Sequence, residues 1–248
     1  MKTDLLTILL DLKARRIPAA LVTDMADGTQ GLVTTDGCQG DLALTAEETA
    51  AVLHRLDQDD SGPLPEEPGT EPGPEPRIRP LFVDTHAPPL RLAVVGAVHV
   101  AQHLVPMAAA AGFDLLVIDP RGSFASEDRF PGVRLSQDWP DEALTGWGVD
   151  RRTAVVTLTH DPKFDDPALT VALRSDAFYI GALGSRRTHA SRCERLTEAG
   201  FTAADLARIH APIGLPIGAK SPMEIALSIL SQIVAVRRKA PAATGATR

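Results

Sequence analysis

The sequence predicts an α/β chain, a parallel sheet with helices on both faces preceded by a small N-terminal α+β unit. Three observations lead there. From Arg91 onward, short apolar runs alternate with helical periodicities, as expected when each strand is buried on both sides and returned by a helix. Apolar residues make up 44% of the 248 and aromatic ones only 4%, so the core must be mostly Leu, Val, Ile and Ala. Between Asp57 and Pro76 lie seven acids, six prolines and no Lys or Arg. Such a stretch repels itself and buries little, so residues 57–79 read as a linker between units 1–56 and 80–239. Residues 240–248 read as a disordered tail.

Each element has its own signal. Leu5, Leu6, Ile8, Leu9 and Leu12 share a helical face, and Pro18 ends that helix. Two extended runs follow, Ala20 to Thr23 and Gly31 to Thr34. Thr45 with Glu48 three residues later is a capping box, opening a second helix. In the larger unit the strand candidates are 91–95, 115–118, 154–158 and 178–183. The helices are 100–111, 167–174, 186–198 and 222–238. Asp166-Pro167 reads as the cap of the second of these. The last has Ser221 as cap, Pro222 at its first position and Glu224 closing a box. Its apolar residues run nearly all round, so it is expected to pack deep.

Composition excludes several classes. The acidic stretch carries −7, the whole net charge of the chain, so no global preference for basic partners follows. No basic stripe with interleaved aromatics suggests nucleic acid. No run reaches the roughly 18 apolar residues of a membrane span, and Met1 to Asp4 lacks a signal-peptide layout. Cys38 and Cys193 give no disulfide framework and suit a reducing compartment. The expectation is a cytoplasmic protein.

Four stretches carry candidate chemistry. Leu92 to Val95, then Gly96-Ala97-Val98-His99, is a strand, a turn and a helix start, the Rossmann-like layout that offers helix N–H groups to a phosphate. Asp119 ends the next strand, where a ribose-reading acid would stand. Val98 replaces the glycine that lets backbone approach a pyrophosphate, so binding of a nucleotide in the usual pose is disfavoured. The rival reading of this turn is structural duty alone. His160 and Asp161 follow a buried strand, at the edge where open α/β sheets bind ligands, although acids beside prolines also serve as caps. Gly184-Ser185-Arg186-Arg187 starts a helix with two cations that oppose its dipole, which an anion bound there would reverse. A solvated basic face continued by Arg192 and Arg195 is the alternative. Ala211-Pro212-Ile213-Gly214-Leu215-Pro216-Ile217-Gly218 by itself says only a rigid loop. Cys38 lies in a polar turn, where an exposed thiol would be reactive or ligating, whereas Cys193 shares a face with Ala190 and Leu196 and reads as core.

From Val155 to Arg238 these stretches together resemble the XdhC/CoxI family of xanthine dehydrogenase accessory proteins. The residues that carry the likeness are Leu158-Thr159-His160-Asp161-Pro162, Tyr179 to Arg187, Ala211 to Leu215 with Ile217-Gly218-Ala219, and Pro222 with Glu224-Ile225-Ala226. The resemblance implies a carrier rather than a dehydrogenase. Such a protein binds the molybdenum cofactor (molybdopterin) and helps its sulfurated form enter a xanthine dehydrogenase-type molybdenum hydroxylase. Its partners would be the apoenzyme and a cysteine desulfurase, and it would form a homodimer. Carried over, the cofactor-binding positions are Gly96, His99, Asp119, His160, Asp161, Gly184, Ser185, Arg186, Arg187, Gly214 and Gly218, with Cys38 toward the metal. Val98 stands where the family has glycine, Gln39 follows Cys38 without the family's acid, and the N-terminal unit is shortened. Two other readings stay open: an NAD(P)-dependent oxidoreductase with a degenerate fingerprint, and a non-catalytic assembly scaffold.

Overall fold

The computed structural model describes residues 2–64 and 79–239, which fall into two compact units divided between Pro88 and Pro89. The first is built on five antiparallel strands, β1 (Ala19–Asp24), β2 (Gln30–Thr34), β3 (Gly37–Gly40), β4 (Gly62–Leu64) and β5 (Leu81–His86), in the order β3-β2-β1-β5-β4. Alternation along the strands decides the layers. Ala19, Leu21 and Leu32 pack with Leu5, Leu9 and Leu12 of α1 (Thr3–Ala14). Ala20, Val22, Val33 and Val83 pack with Val52 and Leu56 of α2 (Ala46–Gln58). The capping box of α2 is made as expected, with Thr45 and Glu48 satisfying each other's backbone N–H groups.

The linker does not begin at Asp57. Helix α2 runs to Gln58, and β4 pairs with β5. The cause is Arg55, whose buried guanidinium donates to Asp60 Oδ2 (2.7 Å) and to the Pro63 carbonyl (2.9 Å). One of the acids counted as self-repelling is thus paired. β5, counted with the C-terminal unit from its start at residue 80, belongs to the first sheet instead. The remaining linker positions 65–78, and the tail 240–248, lie outside the described residues.

The second unit has a six-stranded, wholly parallel sheet: β6 (Arg91–Val95), β7 (Asp114–Ile118), β8 (Arg134–Ser136), β9 (Thr153–Thr157), β10 (Tyr179–Ala182) and β11 (Ile209–His210), in the order β11-β10-β9-β6-β7-β8. Numbered from β6 this is 3-2-1-4-5-6, the doubly wound Rossmann order, and the direction of winding reverses between β6 and β9. Leu92, Val94, Ala154 and Val156 face α3 (His99–Ala110) and α8 (Pro222–Arg237). Ala93, Val95, Val155 and Ile180 face α4 (Pro140–Trp147), α5 (Pro162–Arg174) and α6 (Arg186–Glu198). A four-residue helix, α7 (Ala203–Leu206), precedes β11.

Three expectations are corrected. Asp166 and Pro167 do not open α5, because Asp161 caps it five residues before Asp166 and Pro162 takes the first position. Helix α8 is not buried all round: Ala226, Ser228, Ile229 and Ile233 face inward, while Met223, Leu227 and Val234 are about half exposed or more. Cys193 is half-buried beside His189 (Sγ to Nε2 3.5 Å), and its neighbour Ala190 is exposed.

Candidate functional site

Parallel strands all release their connections at one edge, so the loops after β6, β7, β9, β10 and β11 emerge from the same end of the sheet. The crevice for a ligand lies where β6 and β9 adjoin. This edge collects every candidate except Cys38, which belongs to the other compact unit.

The turn after β6 is tight. Gly96 has φ +104°, and a Cβ there would lie 2.5 Å from Thr159 Cγ2. Only glycine lets the β6 and β9 loops approach this closely. Val98 is the N-cap of α3 and supplies no side-chain cap; its side chain rests against the core, and His99 is exposed.

Asp119 is 1% exposed. Its Oδ2 accepts from the Ala97 amide and from Arg121 Nη2, both at 2.8 Å, and its Oδ1 accepts from the Arg121 amide and Nε. A carboxylate offers about four acceptor sites, and here all are in use. Burial pushes this carboxyl up, but the Arg121 guanidinium and the Ala97 amide outweigh it and hold it below the usual carboxylate range. The acid expected to read a ribose instead locks the turn after β6 to the loop after β7. With Val98 in the pyrophosphate approach, fluorescence titration with NAD(H) and NADP(H) should detect no binding to the unmodified chain, and Val98→Gly should be the change that gains some. Tight binding by the unmodified chain would overturn this reading of the turn.

After β9, Thr159 Oγ1 donates to Asp165 Oδ1 at 2.6 Å and accepts from the Asp161 amide. His160 is exposed and held at φ +54°, a conformation uncommon for a side-chain-bearing residue. Asp161 caps α5 and lies 3.7 Å from Lys163 Nζ.

After β10, Gly184 and then Ser185, whose Oγ accepts from the Thr188 amide, lead into α6. Arg186 and Arg187 are exposed and, among the described residues, neither has a hydrogen-bond or ion-pair partner. The two arginines further along do not continue a solvated stripe. Arg192 is 1% exposed and donates from Nη2 to Asp165 Oδ2 (3.3 Å) and to the Leu183 carbonyl (3.0 Å). Arg195 grips Asp166 through Nε (2.5 Å) and Nη2 (3.0 Å). Free positive charge on α6 is therefore concentrated in its first turn, where it costs most against the helix dipole.

The loop after β11 is fastened to α8. The Gly214 amide and the Tyr179 hydroxyl both donate to Gln232 Oε1, at 2.8 and 2.6 Å. Gly214 has φ +98°, and a Cβ would lie 2.3 Å from Ser228 Oγ. Its glycine serves packing. Gly218 is exposed at φ +78°, and a Cβ there would meet nothing within 4 Å among the described residues.

Cys38 is exposed, but it sits on β3 opposite Val33 rather than in a turn. Its thiol donates to the Leu42 carbonyl (3.4 Å), and partial burial pushes its pKa up, away from the reactive thiolate. Among the described residues no group of three or more His, Cys, Asp or Glu is placed to hold a metal ion, and no helix is long and apolar enough to cross a membrane.

The sequence reading missed Arg121, Asp165 and Arg192. Arg121 could have been found, since it stands two residues past the strand-ending Asp119. The Asp165–Arg192 pair joins residues 27 apart and has no local signature.

The chain is similar to known proteins. The chain is 33% identical over 150 residues to the molybdenum cofactor insertion chaperone PaoD of Escherichia coli, covering 60% of this chain and 41% of that one. It is 29% identical over 160 residues to a probable xanthine dehydrogenase subunit of Bacillus subtilis, covering 64% and 46%. An uncharacterized Escherichia coli protein, YqeB, is 31% identical over 161 residues, covering 65% and 30%. The matches thus span less than half the length of these relatives. A crystal structure of a xanthine dehydrogenase from Bacillus halodurans superposes on 98% of this chain and 66% of its own, with a TM-score of 0.66 at 22% identity; that likeness speaks to the fold. Residues 92–233 match the XdhC Rossmann domain, and the chain belongs to that family.

Proposed function

We propose that this protein carries the molybdenum cofactor and assists its sulfuration and insertion into a xanthine dehydrogenase-type molybdenum hydroxylase, working with the apoenzyme and a cysteine desulfurase, as a homodimer. The observation that carries the reading is the pair of arginines, Arg186 and Arg187, that open α6 behind Ser185 without a partner among the described residues. Molybdopterin ends in a phosphate, and guanidinium forks with helix N–H groups suit a phosphate. The names of two relatives, one a cofactor insertion chaperone and the other part of a dehydrogenase, agree with a maturation role.

The pterin is cargo on this reading, and the chain's work is to hold and orient it. Arg186 and Arg187 bind its phosphate, and Gly184 keeps the loop clear of side-chain bulk. His160 and Asp161, on the loop after the neighbouring strand β9, stand between that loop and the crevice. Cys38, on the other unit, is proposed by itself as a soft sulfur donor to molybdenum.

Anaerobic expression in cofactor-producing cells should yield protein holding molybdenum and pterin at up to equimolar amounts. Cys38→Ser should lower retention or transfer to apoenzyme, whereas Cys193→Ser should touch stability at most. Folded protein purified without pterin would sink the carrier reading. A scaffold that binds only protein would then take its place, favoured by the exposed Met223, Leu227 and Val234 on α8.

A further inference from the structure

The chain is poor in aromatic residues, at 4%, yet three of them gather at the sheet edge, two of them against one cation. The Arg121 guanidinium lies 4.1 Å from the ring centre of Phe124 and 5.5 Å from that of Phe164. Trp139 meets Phe164 with ring centres 5.7 Å apart. Phe164 is buried at the base of this group, whereas Phe124 is 37% and Trp139 48% exposed. Large exposed apolar rings need a reason, and a single one would carry no weight. Here they adjoin, beside a guanidinium held along its edge by Asp119 through Nε and Nη2. A guanidinium held at its edge keeps its plane fixed, here over the Phe124 ring.

The position adds a second argument. Arg121 and Phe124 leave the end of β7, and Phe164 follows the end of β9, so the group flanks the crevice where the winding reverses. The free arginines of α6 lie beyond β10. From β7 to β10 there are three strand spacings of about 4.8 Å, hence roughly 14 Å between the two features along the edge. One end of the crevice offers aromatic faces and a fixed cation, and the other offers unpaired positive charge. That is the complement of a ligand with a planar ring at one end and a phosphate at the other.

We infer that Arg121, Phe124, Phe164 and Trp139 form a stacking subsite for the planar nitrogen heterocycle of the ligand whose phosphate Arg186 and Arg187 receive. It deepens the carrier reading and rests on it for the phosphate end alone; ring recognition is separable. Pterins and nucleobases share the chemistry, and the site selects between them by the fit of their edges.

The test is calorimetric titration of the full chain with three probes: 6-hydroxymethylpterin monophosphate, AMP and inorganic phosphate. The pterin phosphate should bind about tenfold or more tighter than inorganic phosphate, as stacking on one aromatic face allows. Trp139→Ala and Phe124→Ala should each lose about that factor for the heterocyclic probe and leave inorganic phosphate unaffected, while Trp139→Phe retains it. Both positions are partly exposed, so melting temperatures should stay near that of the unmodified chain and serve as the check on folding. Tighter binding of AMP than of the pterin would identify the ring as a nucleobase and keep the subsite. Ring probes that bind with Trp139 dependence while inorganic phosphate fails to bind would leave the subsite standing and remove the phosphate end of the carrier reading. Folded Trp139→Ala and Phe124→Ala proteins that hold every probe as tightly as the unmodified chain would overturn it.

Discussion

Replacing Arg192 by methionine is expected to cost about 3–5 kcal/mol of stability, the usual result of removing one partner from a buried ion pair. Arg192 and Asp165 are each 1% exposed, so the carboxylate left behind would have no access to water. Asp165 is also the knot of the sheet edge. Its Oδ1 accepts from Thr159, beside His160, and its Oδ2 accepts from Arg192, which in turn donates to Leu183 at the start of the α6 loop. Changing both members, with Asp165→Leu and Arg192→Met together, should recover most of the loss, since well-packed apolar pairs often replace buried ions without penalty. Thr159 would still lack its acceptor, leaving a deficit of about 1–3 kcal/mol. Denaturant unfolding of the two singles and the double checks the pattern; a double mutant as unstable as the sum of the singles would show that the pair is not coupled.

The same pair has a pH signature. Burial pushes the Asp165 carboxyl up, outweighing the bonds from Thr159 and Arg192. A carboxyl whose folded pKa lies above its unfolded value holds an extra proton in the native state between the two, so its contribution to stability falls as pH rises through that window. Asp119 acts in the opposite direction: its folded pKa is depressed, and its contribution is lost as pH falls below the ordinary carboxylate range. The Arg192 guanidinium bears the remaining cost, with Nε and Nη1 buried and without a hydrogen-bond partner among the described residues. Its two bonds, to Asp165 and to the Leu183 carbonyl, clamp the β9 and β10 loops together.

Much of this was legible in the sequence because it is local. Capping boxes at Thr45 and Ser221 need four residues, and buried strands such as 91–95 announce themselves by continuous apolar runs. The elements missed in the first sheet have no such signal. β3 is Gly37-Cys38-Gln39-Gly40, exposed throughout, and is a strand only because β2 lies beside it. β4 exists because Arg55, eight residues before Pro63, ties that segment down. At the candidate site the glycines and arginines were visible, but their roles were not. Asp119 looked like a ribose ligand until Arg121 and Ala97 filled its oxygens, and Arg192 looked like surface charge until α6 packed it against Asp165. Both depend on which side chain fills which space, and periodicity does not encode that.

The arginines at the start of α6 give the sharpest test of function. If a bound phosphate holds Arg186 and Arg187 in place, each charge-assisted contact contributes roughly 1.5–3 kcal/mol. Arg186→Ala and Arg187→Ala should then each weaken binding of a pterin phosphate or of inorganic phosphate about tenfold or more, since about 1.4 kcal/mol is tenfold. Binding to the unmodified protein should fall with added salt, and sulfate should compete. Without ligand, the melting temperature of both variants should hold or rise slightly, because each removes a cation that opposes the helix dipole and has no partner among the described residues to lose. A solvated helix start predicts the reverse on the first count, with binding untouched by either change and indifferent to sulfate. A structural role predicts the reverse on the second, with melting temperatures that drop. Binding and melting measured on the same two variants therefore separate three accounts of the same four residues, Gly184 to Arg187, and only an anion site gives weaker binding with undiminished stability.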